Sequence, residues 1–244
     1  MQNKRVVVTG LGALTPIGNG VPAYWDGLVS GKSGSAPITY FDASKFKTQF
    51  ACELKGFDPG DYFDRKEARK MDRFTQYAIV ASDEAIEHAN FNLDALDKTR
   101  VGVIWGAGIG GLQTFQSEVL NFAAGDGTPR FNPFFIPKMI PDIAPGMISI
   151  KYGFQGPNFA TVSACASSAN ALIDALNYIR LVMLISWFAV DLKLVLQSLV
   201  LRALMRYTRS LPAMTTLRRL LVRSIKTVTV LCWVKVLVLW CWKP

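Results

Sequence analysis

The fold is decided by one stretch, Asn158-Phe-Ala-Thr-Val-Ser-Ala-Cys165-Ala-Ser-Ser-Ala-Asn-Ala171. A β-prone run from Phe159 to Val162 leads into Cys165, and a helical pattern follows from Ala166 to Arg180. We therefore expect a strand, a turn of small residues and a helix. The thiol would lie at the positive end of the helix dipole, which favours the nucleophilic thiolate. Cys165 is either such a nucleophile or a buried structural cysteine, and this stretch alone leaves both readings open.

The same order of strand, glycine-containing loop and helix occurs twice upstream. Buried strands are predicted at Arg5–Thr9 and Arg100–Trp105, and they run into the loops Gly10–Gly18 and Gly106–Gly111. Strands that alternate with helices predict an α/β fold. The helices are expected at Val21–Ser30, Lys66–Ala89, Leu112–Ala123 and Pro141–Tyr152.

The Gly-x-Gly at Gly10 and Gly12 does not complete a dinucleotide-binding fingerprint. The third glycine is out of place, and no ribose-binding acid follows a second strand at the usual distance. We therefore expect no nucleotide site at this loop.

Two further features each allow a plain and a functional interpretation. The helix that begins at Lys66 opens with basic residues, including Arg69, which form either a solvated face or a docking surface for an acidic partner. Phe134 and Phe135 are either core residues or the wall of an apolar tunnel. The single histidine, His88, lies near a helix end, where it can satisfy late carbonyls, and we expect it to be structural.

The cysteine count and the N-terminus bear on cofactors and compartment. The four cysteines show neither metal-ligand spacing nor a disulfide framework. With one histidine in the chain, we expect no metal and no cofactor. The N-terminus has no long apolar segment of the kind that opens a secretory signal. These features favour a reducing cytoplasm.

The composition breaks at about residue 181. Residues 181–244 contain 10 Lys and Arg and a single acid, Asp191, so they carry the entire net charge of +9. All 19 glycines precede them, the last being Gly156. Turns in a globular α/β chain need residues that adopt positive φ, so a quarter of a chain without glycine requires an explanation.

Four motifs in order resemble a known family: Arg5-Val-Val-Val-Thr-Gly-Leu-Gly, Arg65-Lys-Glu-Ala-Arg-Lys-Met-Asp72, Gly106-Ala-Gly-Ile-Gly-Gly111 and Val162-Ser-Ala-Cys-Ala-Ser-Ser168. Together they resemble β-ketoacyl-acyl carrier protein synthase II, the elongating condensing enzyme of bacterial type II fatty acid synthesis. The resemblance covers residues 3 to 181 or so. It implies a thiolase-like α/β fold, of which residues 1–181 would form the N-terminal half.

The resemblance also implies roles for individual residues. Cys165 matches the nucleophile that takes an acyl chain from acyl carrier protein, with its own backbone N–H as half of an oxyanion hole. Ile109 matches a position that lines the acyl tunnel, and Phe134 and Phe135 are expected near that tunnel or the dimer contact. Lys66 and Arg69 become candidates for contact with the acidic carrier protein. The family is a homodimer, joined in part along residues 158–162.

The chain departs from the family in its second part. The family uses two histidines and a lysine there to activate malonyl carrier protein, whereas this chain has no histidine after His88. Residues 182–244 instead read as family sequence in the wrong frame. Codons for Val222–Thr227, regrouped by one base, give Arg-Pro-Phe-Asp-Lys-Asp, and those for Val230–Val238 give Phe-Val-Leu-Gly-Glu-Gly-Ala-Gly. Glycine codons that lose their first base become valine codons, which removes glycine from the tail.

Three functions follow as expectations. The first is a condensing synthase, an acyltransferase, whose sequence is interrupted by the loss of a base near the codon of Leu181. The second is a truncated product that keeps Cys165 but does not condense, and that lacks the strand after the helix ending at Arg180. The third is a membrane-adhering protein, because residues 181–204 are apolar and the following segment is basic and contains tryptophan. Asp191 and two cations interrupt that apolar run, which disfavours a membrane span.

Overall fold

The computed structural model describes residues 6–90 and 92–181, together with two strands at 186–192 and 234–241. Eight strands and seven α-helices occur in these residues. The strands are β1 Val6–Thr15, β2 Gly18–Asn19, β3 Ala36–Pro37, β4 Phe50–Ala51, β5 Val101–Ala107, β6 Asn158–Thr161, β7 Ser186–Leu192 and β8 Val234–Cys241. The helices are α1 Val21–Val29, α2 Arg65–Lys70, α3 Arg73–Ala89, α4 Leu112–Ala124, α5 Phe135–Met139, α6 Ile143–Tyr152 and α7 Ser167–Arg180.

Six strands form one mixed sheet in the order β2-β1-β8-β7-β5-β6. β5 pairs in parallel with β6 on one side and with β7 on the other. β8 is antiparallel to both of its neighbours, β7 and β1, so β1 runs in the same direction as β5, β6 and β7. Strands that run in parallel and are linked by helices confirm the predicted α/β class.

Helices cover this sheet on two faces. On one face, Trp105 of β5 is fully buried in a cluster with α3 and α6 residues such as Phe74, Tyr77 and Ile148. On the other, the neighbouring Ile104 packs with Ala171, Ala175 and Ile179, which lie along one face of α7. Successive residues of a strand point to opposite faces, so β5 contributes to both clusters. This burial on both faces explains why β5 reads as an uninterrupted apolar run.

The glycines of the first loop serve packing between strand and helix. The prediction of a tight loop from Gly10 to Gly18 was wrong, because β1 continues through these residues to Thr15. A Cβ atom at Gly10 would lie 2.1 Å from the carbonyl oxygen of Ala85, and one at Gly12 would lie 1.9 Å from that of Ala81. The backbone of α3 therefore rests directly on β1. These two glycines are explained without a nucleotide.

The helix predicted from Lys66 to Ala89 is two helices in the structure. α2 ends at Lys70, Met71 adopts an extended conformation, and α3 begins after Asp72. The Asp72 side chain accepts a hydrogen bond from the N–H of Phe74, which makes it the N-cap of α3. The predicted single helix was wrong because Asp72, inside the periodic apolar pattern, starts a new helix as an N-cap.

Polar contacts tie α3 to its neighbours. Lys151 of α6 donates to both carboxylate oxygens of Asp83, at 2.7 and 2.6 Å, and the Tyr152 hydroxyl donates to the same group. Burial, and after it the Asp83 carboxylate, raise the pKa of the Tyr152 phenol. His88 Nδ1 lies 3.1 Å from the N–H of Leu11 in β1 rather than against the last carbonyls of its own helix.

Two strands of the tail lie inside the sheet, which corrects one expectation. The strand after α7 was expected to be lost, yet β7 follows α7 and pairs with β5 over seven residue positions. Its sequence, Ser186-Trp-Phe-Ala-Val-Asp-Leu192, is rich in aromatic and branched residues, which favour strands. Part of the apolar run 181–204 is therefore a strand, and residues 182–185 and 193–204 lie outside the described residues. In the described part of the chain, no helix is long and apolar enough to cross a membrane.

Candidate active site

Cys165 lies at the predicted junction between strand and helix. β6 ends at Thr161, a 3-10 turn spans Ala164–Ala166, and α7 begins at Ser167. The thiol is exposed, so the alternative of a buried structural cysteine was wrong for Cys165, whereas it describes Cys52. Ala164 has φ of +50°, in the left-handed region. Alanine pays about 1 kcal/mol or more for that conformation, and the sharp turn presents the next residue, Cys165, at the surface.

A network of short polar side chains holds this turn. The Ser167 hydroxyl accepts from the N–H of Ser163 and donates to the carbonyl of Ala164, both at 2.9 Å. Thr161 donates to the carbonyl of Ser167 at 2.7 Å, and Asn170 donates to the Ser163 hydroxyl at 2.6 Å. Ser167 is only 3% exposed, so its hydrogen bonds are protected from water. The network offsets the strain at Ala164 and fixes the residues on both sides of Cys165.

The loop after β5 packs against the Cys165 turn through its glycines. A Cβ atom at Gly106 would lie 2.6 Å from the Cα and N atoms of Ser168, and one at Gly108 would lie 3.6 Å from the carbonyl oxygen of Ala164. Gly110 has φ of +84°, and a Cβ there would meet the carbonyl oxygen of Met139 at 2.3 Å. The loop therefore fits between the Cys165 turn on one side and the end of α5 on the other.

The structure places the three candidate acyl-contact residues in three different settings. Ile109 is 44% exposed and follows Gly108, the loop residue whose added Cβ would meet the carbonyl oxygen of Ala164. Phe135 stacks with Phe131 and Phe115, with ring centroids 5.7 and 6.2 Å apart. Phe134 lies in an adjoining groove with basic side chains, and Phe131 both lines this groove and stacks on Phe135. The sequence grouped Phe134 with Phe135 as neighbours, but the two rings face different surroundings.

The groove brings Phe134 together with Lys66 and Arg69. It has a volume of about 680 Å³ and is lined by Lys66, Arg69, Lys70, Arg130, Phe131, Asn132, Pro133 and Phe134. The Lys70 ammonium lies 5.9 Å from the centre of the Phe134 ring. Four exposed cations thus surround an apolar floor, which is a combination of charge and apolar area that suits an acidic partner.

Sequence reasoning missed the residues that hold these parts in place. Ser167 and Asn170 occur among small polar residues of a kind that many helix starts contain, so nothing marked them out. Asp72 carried a readable signal, because Asp is a favoured N-cap and it precedes the apolar stripe of α3. Among the described residues, no cluster of three or more His, Cys, Asp or Glu side chains could hold a metal ion.

The chain is similar to known proteins of one family in its sequence and in its structure. The family profile described as "Beta-ketoacyl synthase, N-terminal domain" matches residues 3–204. The 3-oxoacyl-[acyl-carrier-protein] synthase 2 of Staphylococcus aureus (strain COL) is 47% identical over 180 residues, which cover 73% of this chain and 43% of the relative. The protein of the same name from Synechocystis sp. is 45% identical over 180 residues, covering 74% and 43%. The chain thus spans less than half the length of these curated relatives.

Solved ketosynthase structures share the fold. One is a type II PKS acyl-carrier protein in complex with its ketosynthase bound to the hexaketide; it has a TM-score of 0.77 at 23% identity and covers 98% of this chain and 63% of that one. The ishigamide ketosynthase/chain length factor has a TM-score of 0.76 at 25% identity, covering 86% and 52%. A β-ketoacyl synthase from Burkholderia phymatum gives 0.74 at 22% identity, covering 98% and 59%.

Proposed function

The chain belongs to the β-ketoacyl synthase family, and we propose that it carries the acyl-accepting part of a 3-oxoacyl-acyl carrier protein synthase of type II fatty acid biosynthesis. The observation that supports this most strongly is the exposed Cys165, held by a strained and hydrogen-bonded turn at the start of α7. A nucleophile needs exposure and a fixed direction of attack, and this turn supplies both.

The first step is transfer of an acyl group to Cys165. The thiol loses its proton to a base in solution, and the thiolate sulfur attacks the carbonyl carbon of an acyl thioester on carrier protein. The carbonyl electrons move onto oxygen, where the backbone N–H of Cys165 stabilises them as half of an oxyanion hole. When the carbonyl re-forms, the carrier thiolate leaves and takes a proton from the solvent. The products are an acyl-Cys165 thioester and free carrier thiol.

Binding roles follow from the positions of the candidate residues. Ile109 contacts the acyl chain, because the loop that carries it abuts the Cys165 turn. Phe134 lies on the surface that meets the carrier, whereas Phe135 belongs to the aromatic stack beside it. Lys66 and Arg69 contact the acidic carrier protein, since both side chains are exposed in the basic groove.

A second copy of the chain pairs along β6. This strand is four residues long and lies at an edge of the sheet in the described part of the chain, so one row of its backbone groups has no partner strand there. Exposed strand edges readily pair with another chain. The homodimer proposed here would use residues 158–162, a few residues before Cys165. We assign the reducing cytoplasm as the compartment, because the spacing of the four cysteines does not suggest a disulfide framework.

Condensation is the step that this chain does not complete. It requires two histidines and a lysine to activate malonyl carrier protein, and no histidine follows His88. We propose that residues 182–244 are an out-of-frame tail, which accounts for the missing glycine, the missing acids and the excess of +9 charges. The family match itself continues to residue 204, so composition rather than similarity places the break near Leu181. The proposed domain boundary is at 181.

Mass spectrometry of Cys165 tests the acyl-transfer proposal. The purified chain is incubated with hexanoyl-acyl carrier protein, digested, and analysed for the peptide that contains Cys165. We expect the mass of one hexanoyl group on Cys165, and no label on the buried Cys52 of the same sample. The Cys165→Ala variant is the matched control and should take up no acyl group. An unmodified Cys165 in a soluble, folded sample would overturn the proposal.

A further inference from the structure

Asp72 caps two helices with one carboxylate. One oxygen accepts from the N–H of Phe74 at 3.2 Å, at the start of α3. The other accepts from the N–H and the hydroxyl of Thr114, at 3.1 and 2.5 Å, in the first turn of α4. The side chain is 5% exposed, so it performs both tasks away from water.

α4 depends on this borrowed cap. Its own N-cap position is Gly111, which has no side chain to offer. The first N–H groups of a helix have no partner within the helix and need an acceptor from elsewhere. Glycine is required at 111 because a Cβ there would lie 2.0 Å from the carbonyl oxygen of Lys138 and 3.1 Å from Asp72 itself. The close approach of Lys138 and Asp72 therefore excludes a capping side chain from residue 111 and leaves that role to Asp72.

The position of Asp72 links two parts of the proposed site. The glycine loop that carries Ile109 leaves β5 beside Ser168 and ends at Gly111, where Asp72 fixes the start of α4. On its other side, Asp72 lies two residues after Lys70, the last residue of the basic helix α2. The Gln76 amide, in the first turn of α3, donates to the carbonyl of Ala68 in α2 at 3.0 Å. The first turn of α3 thus joins the basic surface to the loop beside Cys165.

We propose that Asp72 is a positioning residue that sets which acyl chains reach Cys165, by holding the far end of the loop that carries Ile109. This inference rests on the proposed acyl transfer. Asp72 touches neither the thiol nor the carrier in this account and acts through Thr114 and Gly111. Release of its contacts to α4 loosens the loop at its Gly111 end, where the N–H of Gly111 still donates to the carbonyl of Met139 at 2.9 Å, while β5 holds the other end at Gly106.

The test compares short and long acyl groups on an Asp72→Asn variant of the full chain. An amide has one oxygen, so it cannot accept at both helix starts. Acylation of Cys165 by the N-acetylcysteamine thioesters of acetate and decanoate is followed by mass spectrometry. We expect the decanoyl rate to fall at least tenfold and the acetyl rate to stay within twofold, because only the long chain passes Ile109. Hydrogen exchange of the amides of residues 110–114 should become at least tenfold faster.

Three further variants distinguish the role of Asp72 from a general loss of the fold. Thr114→Val removes one donor to Asp72 and should shift the decanoyl-to-acetyl ratio in the same direction, whereas Thr114→Ser keeps both donors and should match the wild type. Asp97→Asn is the matched control, because Asp97 also accepts from the N–H and hydroxyl of a threonine, Thr99, at 3.1 and 2.6 Å on an exposed turn. It should leave every rate unchanged.

Equal loss of both rates, or an unchanged ratio in both Asp72→Asn and Thr114→Val, would overturn the role of Asp72. If the wild-type Cys165 accepts neither thioester, the proposed function fails on that result. Hydrogen exchange then decides the role of Asp72 separately, and unchanged exchange of residues 110–114 in Asp72→Asn would refute it.

Discussion

Replacement of Gly106 by alanine should displace the nucleophile. A Cβ at 106 would lie 2.6 Å from the Cα and N atoms of Ser168 and 2.8 Å from the carbonyl carbon of Ser167. Ordinary contact begins at 3.4 Å, so the first turn of α7 must retreat by about 0.8 Å. All three atoms belong to the backbone, and no side chain can rotate to relieve the overlap. Overpacking of this kind costs about 1–3 kcal/mol of stability.

The same shift should reduce the reactivity of Cys165 toward a bound substrate. A misplacement of about 1 Å lowers a positioned reaction by up to ~10²-fold, so we expect acylation by hexanoyl carrier protein to slow by about that factor. Urea denaturation measures the stability, and mass spectrometry of Cys165 measures the rate. Gly108→Ala, two residues along the same loop, is the control, because its Cβ would meet Ala164 at an ordinary 3.6 Å. Equal behaviour of the two variants would refute the packing argument.

Three more perturbations test other parts of the structure. Ser167→Ala leaves the N–H of Ser163 without its acceptor and should cost about 1–3 kcal/mol in urea denaturation; a loss below a few tenths would contradict the network. Charge reversal at Lys66 and Arg69 together should weaken carrier-protein binding at least tenfold in titration calorimetry at low salt, and an unchanged affinity would remove them from the docking surface. Gly146→Ala should raise the free energy of unfolding by about 0.5–1 kcal/mol, because alanine favours a helix over glycine and nothing lies within 4 Å of the added Cβ. A lower free energy of unfolding would contradict the open space at this position of α6.

The sequence predicted elements well where one local pattern decided them. The strand, turn and helix around Cys165 are present, and β5 and α4 lie within two residues of their expected bounds. Predictions were less accurate where a distant contact decided the outcome. Gly10 and Gly12 signal a turn by composition, yet they lie in a strand because α3 rests on them. The close packing of α3 on β1 can be seen only in the folded structure.

In the candidate site, too, contiguous motifs were predictable from the sequence and contacts between distant residues were not. Cys165 and the basic residues of α2 could be found from motifs, since each motif is contiguous. The capping of α4 by Asp72 could not be predicted, because Thr114 is 42 residues away in the sequence. The glycine at position 111 does not indicate which residue caps the helix in its place. Phe134 and Phe135 are adjacent in sequence, but the start of α5 separates their rings into the groove and the aromatic stack.

The tail contributes strands to the sheet although it lies beyond the part of the chain that aligns with the curated relatives. The 180 residues aligned with the curated relatives cover 73% of the chain, while one solved ketosynthase structure covers 98% of it. β7 and β8 connect β5 to β1 through backbone pairing, which depends on β propensity more than on particular side chains. The out-of-frame tail that we propose is therefore compatible with strands at β7 and β8, because their pairing does not depend on the family's own side chains there.

Malonyl-dependent condensation by two chains measured side by side is the most direct test of this account. One chain is the sequence as it stands, and the other comes from the same gene with one base restored near the codon of Leu181. Each receives hexanoyl-acyl carrier protein and labelled malonyl-acyl carrier protein, and the product two carbons longer is counted together with released CO₂. We predict acylated Cys165 but no elongated product from the first chain, and both from the second. Elongation by the chain as it stands, or no elongation by a folded restored chain, would contradict the account.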